Sequence, residues 1–112
     1  MKVQLTPLAQ NDLKEIRTYI TNELLNPTSA VSVVKRITTR IRGLAKFPAM
    51  GAPLSSIVNI QTDYRFLVCG NYTAFYRYDD KFVYIIRVLY HRRDFVKILF
   101  GNVVIDDDES ED

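Results

Sequence analysis

His91 is the only side chain in this sequence whose ordinary pKa lies near neutrality, and it sits between Tyr90 and the pair Arg92 and Arg93. An imidazole can donate or accept a proton, a phenol can stack on a base or donate a proton, and guanidinium groups can hold phosphate oxygens two at a time. The candidate set is therefore His91 and Tyr90 for proton handling, Tyr72 with Tyr90 for stacking, and Arg65, Arg77, Arg87, Arg92 and Arg93 for an anionic or macromolecular target. Plainer roles are open to the same residues. Arg65 can pair with Asp63 or Asp94, and Arg92 and Arg93 can be solvated charges at a strand end. Between Lys46 and Arg65 the only charged side chain is Asp63, so a histidine with arginines is an incomplete acid–base set. Cys69 has no partner for an internal disulfide and reads as a small buried residue, and no spacing of His and Cys suggests a metal. Neither a cofactor nor a metal is expected.

These side chains must be carried by a short strand, two helices and a set of hairpins. Residues 3–5 suit a strand, and Thr6 followed by Pro7 has the chemistry of a helix N-cap and first helical position. Leu8, Leu13, Ile16, Ile20 and Leu24 recur at helical spacing with Asp12, Lys14, Glu15, Arg17 and Glu23 between them, up to Asn26 and Pro27. Thr28 or Ser29 can cap a second helix whose apolar stripe is Ala30, Val33, Val34, Ile37, Ile41 and Leu44. So short a connection predicts an antiparallel helix pair. Pro48, Gly51 and Pro53 make residues 47–56 a loop.

Three strand-like runs follow at 64–69, 72–78 and 82–90, separated by Gly70-Asn71 and by Asp79-Asp80-Lys81, spacings that demand hairpins. Their aromatics, among them Phe66, Tyr72, Phe75, Tyr76, Phe82 and Tyr84, suit a core or cross-strand pairs. Residues 94–100 can form a last short helix. The expected fold is α+β: a short N-terminal strand and an antiparallel helical hairpin packed on an antiparallel sheet of about four strands.

Length and charge set the outer limits. With 112 residues, 47% hydrophobic and 25% charged, the composition fits one globular domain over residues 1–105 and no membrane span. Six acids fall in residues 106–112, a segment too charged and too poor in apolar residues to fold alone, hence an acidic disordered tail. Before it, fifteen basic residues face seven acidic ones, a net +8 that suits an anionic partner: nucleic acid, ribosome or an acidic peptide. The absence of an amino-terminal charged and apolar signal, with the single cysteine, points to the cytoplasm.

The order strand, helical hairpin, loop and three-stranded meander resembles the RelE/ParE toxins of bacterial type II toxin–antitoxin modules. The stretch 64–77 (YRFLVCGNYTAFYR) is similar to the second and third strands of that superfamily, with an arginine near the start and a G-N-Y … F-Y centre. The stretch 86–94 (IRVLYHRRD) is similar to the closing-strand signature of the ParE branch, R-V-L-H-x-R-R-D.

This resemblance implies a toxin that arrests bacterial growth and is neutralised by a cognate antitoxin. Two modes of action follow. RelE-like members cut messenger RNA in the ribosomal A site. They need a base for the ribose 2′-hydroxyl, a cation for the phosphorane and an acid for the leaving 5′-oxygen. In that case His91, which resembles the general-acid position of YoeB-like toxins, would act with Arg65 and Tyr90. Against it, Val68 stands where RelE has a catalytic arginine, and the loop after the second helix lacks the Lys or Glu of nucleolytic members. ParE-like members inhibit DNA gyrase and need only an interface, for which Arg65, Arg77, Arg87, Arg92 and Arg93 are the candidates; the 86–94 signature favours this branch. Antitoxins of the superfamily lay an extended arm and a helix across the hairpin and sheet, so Leu24, Leu25, Val31 and Phe100 are expected to be incompletely covered by this chain alone.

Overall fold

The computed structural model describes residues 1–91 and 93–101. Arg92 and the acidic segment 106–112 lie outside the described residues. The first strand, β1 (Lys2–Leu5), leads directly into α1 (Pro7–Asn22). Thr6 joins them as expected: its hydroxyl oxygen accepts the Ala9 N–H at 3.1 Å and its proton goes to the Ile86 carbonyl at 2.8 Å, while Pro7 occupies the first helical position.

The buried stripe of α1 is Ala9, Asp12, Ile16 and Ile20. The sequence places Asp12 with the outward polar residues and Leu8 in the core stripe. Asp12 is instead 6% exposed and Leu8 is 58% exposed. The stripe is offset because a carboxylate has a buried partner on the sheet, described below.

The helical hairpin turns earlier than expected. The Glu23 N–H bonds to the Tyr19 carbonyl, Leu25 takes a left-handed φ of 51°, and Asn26 begins the next helix. A non-glycine residue in that region costs about 1–2 kcal/mol. The cap of α2 (Pro27–Arg42) is Asn26, whose side chain accepts the Ser29 N–H at 3.0 Å, and not Thr28 or Ser29. Proline has no N–H to lose at a first helical position and its fixed φ is already helical, so Pro27 opens the second helix where the sequence reading used it to close the first. Along α2 the expected stripe is inward, with Ala30, Ile37 and Ile41 buried and Leu44 buried in the 3-10 turn Gly43–Ala45 that follows.

The sheet has five strands in the order β1-β5-β4-β3-β2, formed by β2 (Ala52–Pro53), β3 (Arg65–Cys69), β4 (Tyr72–Tyr78) and β5 (Phe82–Tyr90) with β1. The three long strands pair antiparallel as expected, Gly70 taking the left-handed φ of 65° that the tight β3–β4 turn requires. Two features differ. The loop supplies a fifth strand of two residues, at an edge where a proline without an N–H is tolerated. And β1 runs parallel to β5, Lys2 opposite Phe82 and Leu5 opposite Ile85, so the sheet is mixed. A hairpin turn forces antiparallel pairing, but a strand separated from its neighbour by helices and a meander can arrive in either sense.

The pair α1 and α2 covers one face of the sheet over a core that includes Ile16, Ile37, Leu67, Ala74, Tyr76, Val83 and Ile85. The other face holds Leu54, Phe75 and Leu89 beneath α3 (Phe95–Phe100). Asp94 caps that short helix, and its rings stack on the sheet, Phe95 on Phe75 at 5.1 Å and Phe100 on Tyr64 at 5.6 Å.

Candidate functional site

Strand β1 covers β5 only as far as Ile85, which leaves the outer edge of residues 86–90 without a strand neighbour. Next to that break the β5 register slips: Phe75 lies opposite Arg87 and Tyr76 opposite Ile85, so Ile86 is an extra residue in a bulge. Asp12 of α1 fills the break. Its carboxylate accepts the Val88 N–H at 2.9 Å and two bonds from the Arg87 guanidinium, 2.7 Å from Nε and 2.8 Å from Nη2. The carboxylate thus does what a carbonyl of a longer β1 would do, and its charge is matched by the arginine that the bulge brings to the same place. The hydrogen bonds that Arg87 donates to Asp12 hold it protonated beyond its already high ordinary range, against the opposing effect of burial.

Beyond Val88 the edge opens onto a groove of about 730 Å³. Its floor is Ile16, Ile20, Val33 and Val88, and its walls carry Tyr19, Leu24, Tyr72, Tyr90, Glu15 and Arg93. Tyr72 and Tyr90 face each other across β4 and β5 edge-on, ring centres 5.8 Å apart. Burial, with the nearby Tyr90 and Tyr19, pushes the Tyr72 phenol above its ordinary pKa of 10.0, so it is a neutral hydrogen-bonding group.

His91 lies at the same corner. Its ring is 4.7 Å from that of Tyr90, and Nδ1 is 2.9 Å from the Asn71 carbonyl, which also accepts the His91 backbone N–H. A carbonyl can only accept, so Nδ1 is the donor in this contact. Beneath it a small hollow of about 160 Å³ on the α3 side of the sheet is lined by Ile57, Phe66, Val68, Thr73, Phe75, Tyr90, His91 and Phe95. Among the described residues, that lining offers no acid or base apart from His91 and Tyr90, and Val68 in it is 53% exposed.

Among the described residues, Arg65, Arg77 and Arg87 do not converge on His91. Arg65 begins β3 whereas Tyr90 stands level with Tyr72 and Cys69 at its far end, four residues away, or about 13 Å along a strand. The set His91, Tyr90 and Arg65 is therefore not assembled: strand direction joins the first two and separates the third. Arg65 pairs with neither Asp63 nor Asp94. Its Nη2 holds the loop carbonyls of Gly51 and Ala49, at 2.7 and 3.2 Å, and its buried Nε has no partner. Tyr76 completes the clamp, its hydroxyl donating to the Pro48 carbonyl at 2.6 Å and accepting the Gly51 N–H at 3.0 Å. Asp63 pairs with Arg77 instead, at 2.7 Å on the surface. Arg93 is exposed at the mouth of the large groove, and Arg92 lies outside the described residues.

The sequence missed Asp12, and only a polar residue on the i, i+4, i+8 row of Ile16 and Ile20 hinted at it. Leu24, Leu25 and Val31 are exposed as expected, whereas Phe100 is half-covered through its stacking on Tyr64. No helix among the described residues is long and apolar enough to cross a membrane, and no three His, Cys, Asp or Glu among them converge as a metal site.

Comparison with known proteins agrees with this architecture. The profile of the ParE toxin of the type II toxin–antitoxin system parDE matches residues 3–95. A solved chain of the chromosomal ParDE toxin–antitoxin system from P. aeruginosa is 25% identical with a TM-score of 0.68, over 80% of this chain and 95% of that one. A chain of the toxin–antitoxin complex RelBE2 from Mycobacterium tuberculosis is 22% identical with a TM-score of 0.49, over 80% and 95% respectively. Comparison with curated proteins gives no match. The match over residues 3–95, on a chain with this hairpin and meander, makes the protein a member of the ParE toxin family of type II toxin–antitoxin systems.

Proposed function

We propose that this chain arrests bacterial growth by binding DNA gyrase in the cytoplasm, and that a cognate antitoxin relieves the arrest. The supporting observation is the lining of the hollow beside His91, where the described residues Val68, Ile57 and Phe66 bring no ionisable group to the imidazole. Such a lining suits contact with a protein better than acid–base chemistry. Purified chain added to gyrase supercoiling reactions should inhibit them in proportion to its concentration, and expression of the chain alone should stop growth. Full supercoiling activity at saturating chain would overturn the reading.

The His91 imidazole beside Tyr90 favours the second reading, ribosome-dependent cleavage of messenger RNA. Primer-extension mapping on translating ribosomes separates the two. His91→Ala should leave gyrase inhibition within about twofold, whereas a cleavage reaction that uses His91 as its acid would fall by about 10²-fold or more.

The antitoxin reading rests on the uncovered apolar residues of the hairpin and on the ParDE system to which the chain is similar. Co-expression with the adjacent small reading frame should restore growth. A basic body with a net +8 before residue 106 would speed capture of an acidic arm.

A further inference from the structure

We propose that the cationic face of α2 is a docking site for the acidic run 106–112 of this same chain, which thereby shields that face from other polyanions. The chain has no acidic residue between Glu23 and Asp63. Within that gap Lys35, Arg36, Arg40 and Arg42 of α2, with Lys46 just beyond it, are all exposed, on the side away from Ala30, Ile37 and Ile41. Among the described residues none of these five cations is in an ion pair, and Asp63 and Asp12 are taken by Arg77 and Arg87. Arg36 and Arg40 stand one helical turn apart, where like charges repel, so an anion laid along the face stabilises it. The chain carries such an anion, because six of the seven residues 106–112 are acidic.

Position indicates the same occupant as charge does. Phe100, which closes α3, stacks on Tyr64 directly before β3. Strand β2 covers β3 only at Arg65 and Phe66. Past that short cover Arg40 reaches from α2 to the sheet, its Nη2 donating to the Val68 carbonyl at 3.1 Å. Val68 is four residues on from Tyr64, or about 13 Å along the strand. The five steps from Gly101 to Asp106 can span about 17 Å and the run itself about 20 Å more, whereas Arg36 and Arg42 are about 9 Å apart along the helix axis. The acids can therefore pass the β3 edge at Arg40 and lie on α2. Single exposed ion pairs are worth little, but the covalent tether holds six acids near the face at an effective concentration on the order of millimolar.

Paramagnetic relaxation tests this on the full chain, with a nitroxide attached to Ser110→Cys in the folded state, where the buried Cys69 stays unlabelled. At about 20 mM salt the amides of residues 35–42 should lose roughly half or more of their intensity, and at about 0.5 M salt, where the Debye length is about 4 Å, they should recover. Arg36→Gln with Arg42→Gln should abolish the broadening at low salt, and Arg36→Lys with Arg42→Lys should keep it. Broadening that is absent, spreads evenly over the surface or survives 0.5 M salt overturns the proposal. Broadening seen only between a labelled chain and a separate isotope-labelled one would assign the face to a second copy and overturn it too. Shielding is read with a single-stranded oligothymidylate as the competing polyanion. At low salt it should bind the unaltered chain about tenfold more weakly than a variant with the six acids changed to amides, and the gap should shrink to about twofold when Arg36 and Arg42 are also Gln. Equal binding, or a gap indifferent to those two arginines, overturns the shielding.

Discussion

Replacing Asp12 with alanine tests whether the β5 edge is held by charge. The substitution leaves Arg87 beside α1 without its counter-ion and strips the Val88 N–H of its acceptor. Removing one member of a buried pair costs about 3–5 kcal/mol. Arg87 keeps 19% of its side-chain exposure and Asp12 only 6%, so partial hydration of the guanidinium argues for the lower end, about 3 kcal/mol. The unsatisfied N–H adds about 1 kcal/mol. A total near 3–4 kcal/mol is a large part of the roughly 5–15 kcal/mol that holds a domain together. At a urea slope of about 1.5 kcal/mol per molar, the midpoint should fall by about 2–3 M with the slope unchanged. Asp12→Asn, which retains an acceptor for Val88, should cost less. With Arg87→Met as the second change, the double-mutant cycle should give a coupling of about 2 kcal/mol or more. A loss below about 1 kcal/mol for Asp12→Ala, or an additive double mutant, would refute the account of the edge.

Three further outcomes follow from local geometry. A Cβ on Gly51 would lie 2.4 Å from the Phe66 carbonyl oxygen and 2.8 Å from the Tyr76 hydroxyl, so Gly51→Ala should cost about 2–3 kcal/mol and lower the thermal midpoint by about 10 °C. The Asp79 carboxylate accepts N–H bonds from Phe82 and Lys81, which hold it below the ordinary 3.8. A depressed native pKa gives stability that is present above the unfolded value and lost as pH falls through the native one. The stability gap between the unaltered chain and Asp79→Ala should therefore be full at about pH 6 and close below about pH 4 in denaturation curves. Burial raises the Cys69 thiol above 9.0 despite the opposing charge of Arg40, so iodoacetamide at pH 8 should label the folded chain on the order of 100-fold more slowly than the unfolded one.

The elements whose origin is local were legible in the sequence. Thr6-Pro7, the α2 stripe from Ala30 to Leu44, Gly70-Asn71 and the runs 72–78 and 82–90 carry their own capping, periodicity and turn chemistry, and each appears in the structure as a local element. The two arginine-bearing stretches of the meander also pointed correctly to the toxin superfamily. Tertiary structure decided what depends on residues far apart in the chain. Asp12 and Val88 are separated by 76 positions, and only the ending of β1 at Leu5 gives that carboxylate a reason to be buried. Along the chain Arg65 was the expected partner of Asp63; strand pairing gave the acid to Arg77 and turned Arg65 onto the loop carbonyls. The parallel sense of β1 and the two-residue β2 were likewise outside local reach, because strand direction across a long connection is chosen by how the helices cover the sheet and not by any neighbouring residue.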